Sequence, residues 1–140
     1  MDVLSSRTII HPGNLERSLH FYRDQLGLAV AREFGSGSAR GVVFFAGGGL
    51  IEVVGEGPAP DGAPPQGAAP NLALWLQVRD VAATMVELAD HGVVIARVPV
   101  REPWGLIEAW VDDPDGLRLH LVEVPADHPL RRDTRGGTTG

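Results

Sequence analysis

The sequence repeats one pattern of structural signals after 66 residues, and this repeat constrains the fold more than any other feature. Two good helix N-caps, Asn14 and Asp80, stand at equivalent places. Each cap is followed at the same offsets by apolar residues of one helical face, namely Leu15 and Val81, Leu19 and Met85, Tyr22 and Leu88. Because one copy alone would leave a sheet face exposed, two copies, in one chain or in two, are expected to form a curved sheet around a cavity.

Each copy predicts the order strand, helix, strand, strand, strand. Alternating or continuous apolar runs bounded by Gly and Pro predict eight strands. The predicted strands are residues 7–11, 28–34, 41–46, 50–54, 72–78, 93–98, 107–111 and 117–124. Gly27 and Gly92 end the two helices. The prediction is an α+β fold with two βαβββ modules that form a cupped eight-stranded sheet around a ligand cavity.

The composition divides the chain into four segments. Residues 4–56 form the first module, and residues 71–125 form the second. Residues 57–70 are rich in Pro, Gly and Ala and predict a linker or surface loop. Residues 126–140 are polar and rich in Gly, Thr and Arg, which predicts a disordered tail.

Charge and composition exclude several classes of function. The 140 residues include 18 acidic and 12 basic side chains, for a formal net charge of −6, which argues against nucleic-acid binding. All basic residues are Arg, so chemistry on a lysine amine is excluded, and the lack of Cys excludes thiolate chemistry. With no targeting segment and no long apolar run, we expect a cytoplasmic protein without a membrane partner.

Several segments together resemble the vicinal oxygen chelate superfamily, which includes glyoxalases, dioxygenases and bleomycin-resistance proteins. The resemblance covers about residues 4–125 and is carried by residues 14–28, Glu102-Pro103-Trp104-Gly105, Asp113-Pro114-Asp115-Gly116 and Leu121-Val122-Glu123. It implies the two-module fold and a homodimer, because family members commonly build each cavity from two modules. The fold alone does not choose among the family's functions.

The resemblance also assigns four positions to the metal ligands of the family's enzymes. Here these positions hold Arg7, Glu52, Ala73 and His120. Arg has no free lone pair and Ala has no ligating atom, so two of the four cannot bind a metal. We therefore predict no metal, no other cofactor and no catalytic residue. Arg7 either pairs with Glu52 in place of a metal or holds an anionic or carbonyl-rich ligand.

The prediction that follows is metal-independent binding and sequestration of a planar hydrophobic small molecule, such as an antibiotic or other natural product. The resemblance is closest in character to the antibiotic-binding resistance proteins. Strand parity and the resemblance place polar and aromatic side chains around the cavity. The predicted ligand-binding residues are Arg7, Ile9, His11, Glu52, Trp75, Gln77, Trp104, Glu108, Trp110 and His120.

Other interpretations stay open at this point. One is a metal-dependent lyase, isomerase or dioxygenase that uses Glu52 and His120. Another is a metal-free enzyme in which one of these residues is a proton-transfer base. A third is a regulatory or scaffold dimer with a vestigial cavity. For Trp75 and Trp110, the alternative to ligand binding is that they fill the core. Asp112, Asp113 and Asp115 are interpreted as parts of a β-turn.

Overall fold

A computed structural model describes residues 1–55 and 71–131, without the side chain of the last residue. The predicted linker, 57–70, and residues 132–140 of the predicted tail lie outside this part of the chain. The described residues form eight strands and two α-helices. The elements are β1 (Arg7–Ile10), α1 (Leu15–Leu19), β2 (Val30–Phe34), β3 (Gly41–Ala46), β4 (Gly49–Val54), β5 (Ala73–Gln77), α2 (Val81–Asp90), β6 (Ile95–Arg101), β7 (Ile107–Asp112) and β8 (Arg118–Glu123).

The strands form two four-stranded mixed sheets of identical topology. The first sheet has the order β1-β4-β3-β2 and the second the order β5-β8-β7-β6. In each module the first strand along the chain pairs in parallel with the fourth, β1 with β4 and β5 with β8. The remaining pairs are antiparallel. The predicted α+β fold with two βαβββ modules is therefore confirmed, with its eight strands divided into two sheets.

Both helices begin at the predicted caps. Asn14 Oδ1 accepts a hydrogen bond from Arg17 N at 3.0 Å, and Asp80 Oδ1 accepts one from Ala83 N at 2.9 Å. The first helix is α-helical only over α1 and continues directly as a π-helix, His20–Gln25. Gly27 and Gly92 follow the two helices with φ of 71° and 81°, a conformation that favours glycine.

One hydrophobic core joins the inner faces of the two modules. Leu19, Tyr22 and Phe44 of the first module share a buried cluster with Met85 and Leu119 of the second. Alternate residues of each strand face this core, so the residues between them lie on the outer faces of the sheets. The core thus determines which strand residues remain for a site.

The Asp-Pro-Asp-Gly turn also holds the modules together. Asp113 Oδ1 accepts hydrogen bonds from the backbone N of Asp115 and of Leu117, both at 2.9 Å, which confirms the interpretation of this segment as a turn. Its other oxygen accepts from the Tyr22 hydroxyl at 2.8 Å. Burial and the nearby Asp113 carboxylate raise the pKa of Tyr22 well above its ordinary value.

The second module continues into residues 126–131, the first part of the predicted tail. His128 Nε2 lies 3.0 Å from the backbone oxygen of Trp104, and a short 3₁₀ turn, Pro129–Arg131, follows. None of the helices in residues 1–55 and 71–131 is long and apolar enough to cross a membrane.

Candidate functional site

The predicted site residues divide between the outer faces of the two sheets. Arg7, Ile9 and Glu52 lie on the outer face of the first sheet. On the second sheet, His120 of β8 stands in register between Trp75 of β5 and Trp110 of β7, so these three side chains share one face. Within the described residues, no hydrogen bond or ion pair joins the two groups.

On the first sheet, Arg7 and Glu52 form an ion pair. Arg7 Nη1 donates to Glu52 Oε1 at 3.0 Å, and the two side chains are 42% and 13% exposed. Ile9 beside them is half exposed. His11 follows β1 as an exposed residue and has no hydrogen-bond or ion-pair partner in the described part of the chain. Whether these four residues bind a ligand stays a prediction.

On the second sheet, the buried carboxylate of Glu108 contacts two other predicted residues, Trp104 and His120. Glu108 is only 5% exposed. Its Oε2 accepts a hydrogen bond from Trp104 Nε1 at 2.9 Å, and its Oε1 lies 3.2 Å from His120 Nδ1. A buried carboxylate needs such partners to offset its lost hydration. The contacts fix the orientations of the indole of Trp104 and of the imidazole of His120.

Trp110 is covered by two arginines that the sequence analysis did not single out. The guanidinium carbons of Arg97 and Arg118 lie 3.8 and 4.7 Å from its ring centroid. The Trp110 ring also contacts His120, with centroids 5.2 Å apart and an angle of 45°. These cation–π contacts occupy the surface that a stacked ligand would use. Trp75 and Trp104, 50% and 58% exposed, remain accessible.

Strand parity offered a signal for one of these arginines and none for the other. Arg118 stands two residues before His120 on β8 and so shares its face; it also holds Asp112 through two hydrogen bonds of 2.6 and 3.2 Å. Arg97, which pairs with Glu102, lies where the register of β6 and β7 shifts. Such an irregularity breaks the simple alternation on which a sequence argument depends.

A cleft of about 800 Å³ lies between the modules, beside the second sheet. On the second module, Trp75 and Gln77 of β5 line it together with Leu76, Leu88 and Leu121, which belong to the shared core or pack against it. Leu26, Leu28 and the turn between β3 and β4 line it from the first module. The remaining eight predicted residues do not line it. The sequence analysis missed the contribution of the first module because it depends on how the two modules dock.

The positions that the resemblance assigns to metal ligands do not fit a metal ion. Arg7 brings a fixed positive charge onto Glu52, and Ala73 offers no donor atom. His120 lies on the other sheet, with Nδ1 directed to Glu108. In the described ranges, no group of three or more His, Cys, Asp or Glu side chains has the geometry to hold a metal. The donor set thus disagrees with the metal enzymes of the resembled family.

The fold is similar to several solved structures. A protein of Sphaerobacter thermophilus, described as a member of the glyoxalase/bleomycin resistance protein/dioxygenase superfamily, is 27% identical, with a TM-score of 0.66 over 88% of this chain and 98% of that one. A glyoxalase-related enzyme of Fulvimarina pelagi is 22% identical, with a TM-score of 0.70 over 90% and 91% of the two chains.

A lactoylglutathione lyase of Agrobacterium tumefaciens is 18% identical, with a TM-score of 0.63 over 88% and 94% of the two chains. At this identity the likeness shows the fold alone. No sequence among curated proteins gives a significant match. The family model of the glyoxalase/bleomycin resistance protein/dioxygenase superfamily matches residues 6–121, which is most of the chain. This chain therefore belongs to the glyoxalase/bleomycin resistance protein/dioxygenase superfamily.

Proposed function

We propose that this protein binds a planar, largely apolar small molecule without a metal ion and holds it stoichiometrically in the cytoplasm. The observation that carries the proposal is the position of Trp75. Trp75 is half exposed, is one of the residues that line the cleft between the modules, and stands in register beside His120 on the outer face of the second sheet. An accessible aromatic surface with polar groups along one side suits a flat ligand with a few hydrogen-bonding atoms.

The size and lining of the cleft support the same class of ligand. A volume of about 800 Å³ lies within the range of sites for drug-sized molecules. Leucine side chains supply apolar surface, and Gln77 adds an amide that can donate and accept. Outside the cleft, the exposed Trp104, which donates a hydrogen bond to Glu108, offers a second aromatic surface.

The chemistry of the family's metal positions favours binding over turnover. The description of the family names dioxygenases, which are enzymes, as well as bleomycin-resistance proteins. Membership alone therefore does not decide between binding and enzymatic turnover. Here Arg7 neutralises Glu52, and Ala73 contributes no ligand. These residues support a resistance or self-protection role in which an antibiotic or other natural product is sequestered without being converted.

A fluorescence titration tests this proposal. Quinones, flavonoids and other flat natural products are titrated against the intrinsic tryptophan emission of the protein, and saturable quenching at one site per chain is expected. Trp75→Ala should remove this binding. Phe45→Ala is the matched control, because Phe45 is 54% exposed but does not line the cleft. Equal affinity of the Trp75→Ala variant, or steady conversion of a bound compound, would contradict the proposal.

We also propose a homodimer. Within the described residues, the edge strands of the two sheets, β1 and β2 in the first and β5 and β6 in the second, each pair with one neighbour only and leave both edges of each sheet open. Edge strands with free backbone groups are common sites of association. Light scattering after size-exclusion chromatography is expected to give twice the chain mass of 14.9 kDa, and a stable mass of one chain would refute the dimer.

A further inference from the structure

The contact between Glu108 and His120 determines which imidazole nitrogen carries the proton. An ionised carboxylate accepts hydrogen bonds and cannot donate them. With Glu108 Oε1 at 3.2 Å from His120 Nδ1, the proton belongs on Nδ1. The second donor to this carboxylate, Trp104 Nε1, holds it in place from the other side. In the neutral ring, Nε2 is then left with a lone pair and acts as an acceptor.

The acceptor nitrogen is free and accessible. Among the described residues, His120 Nε2 has no hydrogen-bond partner, and the side chain is 28% exposed. It is also absent from the side-chain nitrogens that are buried without a partner, which are Arg40 Nε, Arg97 Nε and Trp110 Nε1. This nitrogen is therefore open to a ligand on the outer face of the second sheet.

The neighbours of His120 direct a ligand to one side of it. Arg97 and Arg118 cover Trp110, the neighbour on β7. Trp75, the neighbour on β5, is half exposed, and adjacent strands lie about 4.8 Å apart. A flat molecule that lies on the indole of Trp75 over the outer face of the second sheet, at the rim of the cleft, has its edge beside His120.

We propose that the ligand class is a planar aromatic molecule with a hydrogen-bond donor, a hydroxyl or an N–H, on its edge, and that His120 Nε2 accepts this hydrogen bond. The inference rests on the proposed function and adds a chemical selection to it. Glu108 is a positioning residue, because it acts on the ligand only through the tautomer of His120.

Two measurements test the proposal with defined probes at pH 8.0. Long-range ¹H–¹⁵N spectra of the labelled protein report which nitrogen of His120 is protonated. Indole and 1-methylindole, which differ by one N–H donor, are titrated by amide chemical shift. We expect the proton on Nδ1 and a preference for indole of about threefold to tenfold, the range of one net hydrogen bond.

Glu108→Gln is the decisive variant. Its amide can accept from Trp104 and donate to His120 Nδ1, which moves the imidazole proton to Nε2. We expect the spectra to show this change and the preference for indole to disappear. Glu33→Gln, the same substitution at an exposed position of β2, is the matched control and should keep both. If Glu108→Gln does not fold, His120→Phe retains a flat ring without the acceptor and should also lose the preference.

The outcomes separate the two proposals. Binding of both probes that depends on Trp75 but shows no preference for indole would overturn this inference and leave the proposed function standing. A proton on Nε2 in the unaltered protein would do the same. Absence of binding by either probe to the folded protein would overturn both.

Discussion

Arg7 directs its guanidinium onto the carboxylate of Glu52, with Nη1 at 3.0 Å from Oε1, at two positions where the family's enzymes are expected to hold metal ligands. The residues come from the parallel pair β1 and β4, whose register sets Ile9 opposite Glu52, and Arg7 precedes Ile9 by two residues on the same face. A permanent cation thus stands beside a carboxylate that is mostly withdrawn from water. An arginine at this position supplies a positive charge but no Lewis acidity.

Removing only the cation of this pair should destabilise the protein more than removing both charges. Arg7→Met leaves Glu52, 13% exposed, without its partner, and we expect a loss of about 1–3 kcal/mol in the free energy of unfolding. Adding Glu52→Gln should restore part of this loss, because the amide is neutral. Urea denaturation of both single variants and the double variant measures the coupling. If the losses of the two single variants simply add in the double variant, the ion pair contributes nothing to the free energy of unfolding.

The metal content should be well below one ion per chain. We expect this after dialysis against a mixture of Zn²⁺, Ni²⁺ and Mn²⁺ followed by metal-free buffer, because Arg7 and Ala73 supply no ligand. Elemental mass spectrometry of the dialysed protein gives the stoichiometry, and His120→Ala is the control for weak binding at the histidine. About one retained metal per chain, lost in His120→Ala, would favour the metal-dependent alternative.

The hydrogen bond between the modules should contribute measurably to stability. Tyr22→Phe removes the hydroxyl that donates to the buried Asp113, so Oδ2 of that carboxylate loses this hydrogen bond. We expect a loss of about 2 kcal/mol, since the acceptor is charged and buried. A double-mutant cycle with Asp113→Asn separates this bond from the turn contacts of the same carboxyl group. A coupling energy near zero would contradict the assignment.

Asp24 should titrate below its ordinary value. Hydrogen bonds from Arg23 and then from His20 lower the pKa of its carboxyl group below 3.8. A lowered pKa in the folded state means that the contribution to stability is complete above the ordinary value and is lost as the pH falls through the folded one. NMR titration of the carboxyl carbon measures the pKa directly. In Arg23→Met it should move back towards 3.8, and an unchanged value would assign the shift elsewhere.

Local signals in the sequence were sufficient to predict the helices and strands and, for most strands, which residues face the core. Asn14 and Asp80 cap the helices as expected, and Gly27 and Gly92 follow them in a conformation that only glycine adopts readily. Such signals depend on a few neighbouring residues and therefore survive in a single sequence. The π-helical continuation of the first helix carried no comparable signal.

The candidate site was harder to predict than the fold. Strand parity, together with the resemblance, grouped Trp75, Trp110 and His120 around the site, and the register of β5, β8 and β7 sets them on one face. Parity gave no indication that Arg97 lies over Trp110, because the register of β6 shifts at that point. It also left Glu108 as one polar residue among several, although its two hydrogen bonds orient His120 and Trp104.

The sequence by itself determined the two-module architecture, the absence of thiol and lysine chemistry, and the loss of two metal ligands at Arg7 and Ala73. The first two follow from periodicity and composition, which need no long-range contact, and the third is what the resemblance to the family implies for the residues at these two positions. Only the tertiary structure decided that Glu52 forms an ion pair with Arg7 and that Arg97 lies over the ring of Trp110. It also decided that residues of the first module line the same cleft as Trp75. Each of these depends on side chains brought together by sheet register and module docking, and both are set by burial of the shared core rather than by any local signal.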